Sequence, residues 1–221
     1  IAFTSAVEPL RMANRAAQKP LYTWSIYSID GNPVTASNGI EIAPDAGIDT
    51  VADVSIFFVC GGIDIADSWN KSFQFALRKI AKRHITLGAL CTGSYLLARA
   101  GLLDGYKCTI HWENIASVRE EFPKAQFTDD LFHFDRDRIT CAGGQASMDM
   151  MLKLIGDKHG SKLAAHISEQ FMCERIRGSD DRQRVPLQLH LGANQPKLTE
   201  AVTLMEANLE EPIGLNELSN Y

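Results

Sequence analysis

The chain has 221 residues, 45% of them hydrophobic and 22% charged, with a formal net charge of −5. That is the length of one large domain with some chain to spare, and the acidic balance excludes a basic nucleic-acid module spanning the whole chain. Five cysteines, an odd number without CxxC spacing, predict reduced thiols of a cytoplasmic protein rather than a disulfide framework or zinc site, and no apolar run is long enough to span a membrane.

The chain opens on Ile1 inside a pattern, which implies that residues ahead of it are missing. Ser5 with Glu8 three positions on reads as a capping box for a helix over 6–17, with Pro9 in its first turn. Residues 22–29 alternate as a strand, and 34–37 with 40–42 form a hairpin across Asn38-Gly39. The unbroken apolar run 54–59 reads as a central parallel strand ending in Cys60-Gly61-Gly62. A helix over 67–83 leads to a strand over 85–90, then Cys91-Thr92-Gly93 and a helix to Ala100. Further helices fall at 112–122, 146–158 and 161–177, with a strand pair at 131–134 and 138–141. Strands alternating with helices predict an α/β fold, a mostly parallel sheet sandwiched by helices in three layers. In such folds ligands sit at the carboxyl ends of the strands.

After Gly178 the texture turns polar. The expected organisation is one α/β domain over 1–178, a linker over 179–196 and the start of a further domain over 197–221. In the last piece, Leu198, Val202, Met205 and Leu209 share a helix face, and a second short helix begins at Leu215.

Cys91 sits where a strand meets a helix, the corner that presents a nucleophile in α/β hydrolase-like folds. The amides of Thr92, Gly93 and Ser94 would point at the sulfur, and the helix dipole would favour a thiolate. His111 is the candidate base, with Gly62 and Thr92 as oxyanion donors. Trp69 and Trp112 are candidate walls of a pocket beside Cys91, suited to a cationic amine. Glu8, Glu113 and Asp64 are candidates for orienting a ligand. The remaining cysteines (Cys60, Cys108, Cys141, Cys173) read as packing residues, and the other histidines lack ligand spacing.

The segments 57–62, Ala89-Leu90-Cys91-Thr92-Gly93, 98–105 (ARAGLLDG) and Thr109-Ile110-His111-Trp112 resemble the DJ-1/PfpI branch of the class I glutamine amidotransferase-like fold. Within it, the pairing of AGLLDG with a THW-like motif is similar to the sensor domain of GlxA-like regulators of the AraC family. Residues 7–15 fit its arginine- and betaine-regulator-like members, and 197–221 resembles the opening of an AraC-type helix-turn-helix domain. The resemblance implies a flavodoxin-like three-layer fold and a homodimeric sensor of a small effector, an amino acid or amine-like metabolite. It also implies DNA contact only through a C-terminal domain whose recognition helices lie outside this chain. Ligand-binding candidates under it are Cys91, Thr92, Gly61, Gly62, His111, Trp112, Trp69 and Glu8, with no metal or cofactor.

Active relatives carry an acid on the turn after their first strand; here that position falls near Ala2, and Ile110 replaces the usual Thr before the histidine. The resemblance therefore implies a vestigial Cys91–His111 site in a regulator rather than an enzyme. The alternative is a cysteine-dependent hydrolase, amidase or glyoxalase-like protein, and a third reading is a dimerising scaffold with a dead pocket.

Overall fold

The computed structural model describes residues 1–184, 196–207 and 213–218. The chain divides into two compact units, Ile1–Gln183 and Arg184–Tyr221. The first therefore runs five residues past the expected boundary at 178. The reason is local: Leu131 N–H donates to the Ser179 carbonyl at 2.8 Å, and Asp130 pairs with Arg182 as an isolated bridge.

Helix α1 (Ala2–Ala17) begins earlier than the capping pattern suggested. Glu8 does not reach back to Ser5 but forms a bidentate pair with Arg11, and Pro9 lies inside the helix. Four short strands follow: β1 (Tyr27–Ser28), β2 (Val34–Thr35), β3 (Glu41–Ile42) and β4 (Ala46–Gly47). β2 and β3 form the expected hairpin, whereas only two residues of 22–29 pair, in parallel with β4.

The principal sheet holds β5 (Ile56–Cys60), β6 (Thr86–Leu90), β9 (Phe132–Asp135) and β10 (Arg138–Cys141) in the order β5-β6-β10-β9. β5 is parallel, as its apolar run requires, but lies at the edge; β6, buried over four of its five residues, is the central strand. β10 also pairs with β6 in parallel, and β9 closes the sheet antiparallel. A separate parallel pair, β7 (Lys107–Thr109) and β8 (Gln126–Thr128), is tied to it by Thr109 N–H donating to Thr140 Oγ1 at 2.9 Å.

Helices α2 (Lys71–Ala81), α3 (Gly93–Arg99) and α4 (Ile115–Glu121) contribute Leu77, Leu97 and Val118 to one core cluster. Helix α5 (Ala146–His159) packs Met150 with Leu90, Phe132 and Cys141 in a second. α1, α5 and α6 (Ser161–Gln170) share a third around Ala13, Leu152 and Ile167. α6 stops at Gln170 rather than continuing to 177; Met172 beyond it has φ 55, outside the helical region. This is the flavodoxin-like arrangement of a parallel-dominated sheet between helices.

In the second unit, α7 (Pro196–Ala207) and α8 (Leu215–Leu218) occupy the expected positions, with Leu198 and Met205 exposed. Leu209 and most of the expected linker lie outside the described residues. Among the described residues, no helix is long and apolar enough to cross a membrane.

Candidate functional site

Register places the site. Cys60 and Cys141 both stand opposite Leu90, so β5, β6 and β10 end at one level. Their following turns, Gly61-Gly62, Cys91-Thr92 and Ala142-Gly143, are thereby brought side by side. Cys91 has φ 57, a left-handed conformation uncommon for a residue with a side chain. It is held by its N–H donating to the Cys141 carbonyl at 2.9 Å and by α3 starting two residues later. Thr92 is buried, and its hydroxyl donates to the Gly62 carbonyl at 2.6 Å. Gly61 is required by close approach: a β-carbon there would lie 2.2 Å from the Gly93 nitrogen. The elbow is thus rigid and built as the strand–turn–helix pattern demands.

Its electrostatics differ from the expectation. Burial pushes the Cys91 thiol above its ordinary value, and Glu113 adds to the rise. The Thr92 backbone N–H opposes this and loses, so the elbow favours the thiol over the thiolate. Helix α1 has no acidic residue in its first turn, and Ala2 packs against the cluster containing Leu90 and Cys141. Nor does the imidazole reach the sulfur. His111 Nδ1 lies 3.5 Å from Glu113 Oε2, and among the described residues no hydrogen bond joins His111 to Cys91. Burial likewise pushes the Cys108 thiol up to about 12 and the Cys141 thiol up to about 11, consistent with packing roles. Cys60 ends an edge strand and is exposed as a residue, yet burial pushes its thiol up to about 12 as well, in keeping with the expected packing of its sulfur.

A cavity of about 200 Å³ opens beside the elbow. His111 and Trp112 line it from the turn after β7, Gly143, Gly144 and Gln145 from the turn after β10, and Arg177 and Gln183 from the chain leaving the first unit. The rings of His111 and Trp112 lie 5.6 Å apart at 35°. Cys91, Thr92, Gly61 and Gly62 form the elbow next to this cavity and are not among its lining residues.

Trp69 is elsewhere: its ring meets Phe73 edge-on at 6.5 Å, and the Arg99 guanidinium stands 5.2 Å over it. Glu8 lies on α1 engaged by Arg11, and Asp64 is an exposed residue at φ 55 before a 3-10 turn. The structure thus brings His111 and Trp112 together on the cavity, keeps Cys91, Thr92, Gly61 and Gly62 as a neighbouring group, and does not include Trp69 or Glu8 among the lining residues. Among the described residues, no group of His, Cys, Asp and Glu is arranged to hold a metal ion.

Arg177 and Gln183 were missed by sequence reasoning. Arg177 Nε donates to Asp149 Oδ2 at 2.9 Å, and its backbone N–H to Oδ1 at 3.0 Å. Asp149 is only 4% exposed, so the guanidinium neutralises a buried carboxylate at the cavity's edge. A buried Asp one turn into a helix that otherwise buries Met and Leu was the one available signal.

The family model "DJ-1/PfpI family" matches residues 5–157. The regulator named "HTH-type transcriptional regulator GbdR" from Pseudomonas aeruginosa is 54% identical over 221 residues, all of this chain and 60% of its own length. "HTH-type transcriptional regulator GlxA" from Rhizobium meliloti is 31% identical over 96% of this chain and 66% of its length. The chain therefore spans about three-fifths to two-thirds of these relatives. Among solved structures, an AraC family transcriptional regulator from Pseudomonas putida superposes with a TM-score of 0.70 at 31% identity, covering 77% of this chain and 91% of that one. A core laid out as this one is, an elbow between β6 and α3, and relatives that are HTH-type regulators lead to one assignment: the chain belongs to the DJ-1/PfpI family, in the branch that includes transcriptional regulators.

Proposed function

We propose that the first unit is the ligand-sensing, dimerising part of an AraC-type transcriptional regulator, acting in the cytoplasm. It responds to a small nitrogenous metabolite, an amino acid or amine-like compound, and contacts DNA only through a C-terminal domain that 197–221 begins. The observation that carries this reading is the pairing of an elbow whose thiol is held protonated with an open cavity rimmed by His111 and Trp112. The indole face of Trp112, 41% exposed, is the surface that would attract a cationic amine. Arg177 also lines the cavity, with its guanidinium committed to Asp149. The Cys91–His111 pair is then a vestige of an enzyme fold.

The test is a thermal-shift screen of amino acids and quaternary amines. A ligand held at a hundred times its Kd stabilises the chain by about 2.7 kcal/mol, and Trp112→Ala should abolish the shift. Absence of any stabilising compound would overturn the sensor reading. Sedimentation at twice the chain mass is the expected outcome for the dimer.

One observation favours the enzyme reading: the left-handed backbone of Cys91, a strain associated with functional sites. Turnover of amide or 2-oxoaldehyde substrates that disappears in Cys91→Ala would establish it.

A further inference from the structure

The cavity has two kinds of wall. His111, Trp112 and Gln145 belong to turns at the carboxyl edge of the sheet, whereas Arg177 and Gln183 belong to residues 171–183, the strap on which the chain leaves the first unit. The strap contains no helix or strand of its own. Phe171 and Ile176 pack it against the cluster around Ala13, Leu152 and Ile167, Leu131 N–H donates to the Ser179 carbonyl, Asp130 bridges to Arg182, and further polar contacts fasten it. Asp149 accepts from the Arg177 backbone and side chain. Within the strap itself, Asp181 accepts from Arg175 Nη1 at 2.7 Å and from Gly178 N–H at 2.8 Å, which braces its fold. Gln183 Nε2 donates to the Asp130 carbonyl at 2.8 Å, and to the Ile110 carbonyl and Thr109 Oγ1 at 3.1 Å each.

Gln183 Oε1, however, is buried and accepts no hydrogen bond among the described residues. The docked strap is thus one partner short, and a buried acceptor without a donor works against the docked arrangement. A small molecule touching His111 or Trp112 on one side and Arg177 or Gln183 on the other spans the seam, and gains the second set of contacts only while the strap is docked. Binding one arrangement better than the other, it draws the population toward that arrangement.

We infer that residues 171–183 are the moving wall of the cavity: an occupant bridging His111–Trp112 and Arg177–Gln183 fastens the strap. This rests on the sensor reading of the same cavity.

The test follows hydrogen exchange in the whole chain with glycine, L-arginine, choline or trimethylglycine as probes, while thermal shift reports independently whether each probe binds. A bound probe should slow exchange at Arg177, Gly178 and Asp181 by about tenfold, with β6 amides unaffected. Arg175→Ala breaks the pair with Asp181, and neither residue lines the cavity. It should speed strap exchange without a probe and weaken probe binding by the matching factor, because the coupling is reciprocal. A probe that raises Tm while leaving strap exchange unchanged overturns the inference and leaves the sensor reading standing. So does an Arg175→Ala chain whose strap is loosened but whose probe affinity is intact. Failure of every probe to bind removes the sensor reading and the inference together.

Discussion

Gly143 stands directly against Cys91. A β-carbon on Gly143 would lie 2.6 Å from Cys91 Cβ and 3.0 Å from its sulfur, and the Gly143 backbone has φ 96. The turn after β10 closes the elbow on its cavity side, and does so only because residue 143 has no side chain. Elbow and cavity are neighbours kept distinct by one residue.

Gly143→Ala should therefore cost stability twice, through a left-handed backbone and through overpacking onto Cys91. The expected loss is about 2–4 kcal/mol by urea denaturation. A loss below 0.5 kcal/mol would show that the turn can move away from the elbow. Cys91→Gly in the same background should recover part of it, since the contact is with the cysteine side chain.

The raised Cys91 thiol predicts slow alkylation. At pH 7 to 8 iodoacetamide should label Cys91 more slowly than a cysteine in an unfolded peptide, and its rate should still be rising with pH where the peptide's levels off. The exposed Cys60 makes site-resolved mass spectrometry necessary. Faster labelling at Cys91 than in the peptide would mean an activated thiolate and would favour the enzyme reading.

Alkaline stability has a definite sign. Cys108 and Cys141 are pushed up to about 12 and about 11 by burial, from an ordinary value of 9.0. Below pH 9 both states hold these protons and no contribution arises. Above it the unfolded chain loses them first, so the folded state is progressively disfavoured. Between pH 9 and 11 each thiol should remove on the order of 2 kcal/mol. Cys108→Ala should flatten this dependence while lowering stability at pH 7.

Arg177→Met leaves the buried Asp149 carboxylate without its cation and should cost about 3–5 kcal/mol. Asp149→Leu combined with Arg177→Met should be much closer to the parent chain, because the desolvation cost goes with the pair. Equal losses for the single and double variants, by calorimetry, would mean that packing of the strap rather than charge neutralisation is what Arg177 supplies.

The parts read correctly from sequence were those decided by neighbours in the chain. The apolar runs at 56–60 and 86–90, the small residues at 91–93 and the hairpin over Asn38-Gly39 carry their structure locally. Where two local signals competed, reading failed: Ser5 and Glu8 fit a capping box, yet Glu8 is taken by Arg11 and the helix starts at Ala2. Trp69 was assigned to the pocket by residue type alone, and its ring is taken up by Arg99, thirty positions on, and by Phe73. Gln183 was invisible because its partners Thr109, Ile110 and Asp130 lie 74, 73 and 53 residues away. A polar stretch following a glycine gives no hint of where its amide will dock.

Gln183 is at once a cavity residue and the last residue of the first unit. On the sensor reading proposed above, recognition and the fastening of the strap fall on the same side chain. A substitution at His111 or Trp112 would then retune what is recognised and leave the strap's own hydrogen bonds alone, whereas one at Gln183 would alter both together.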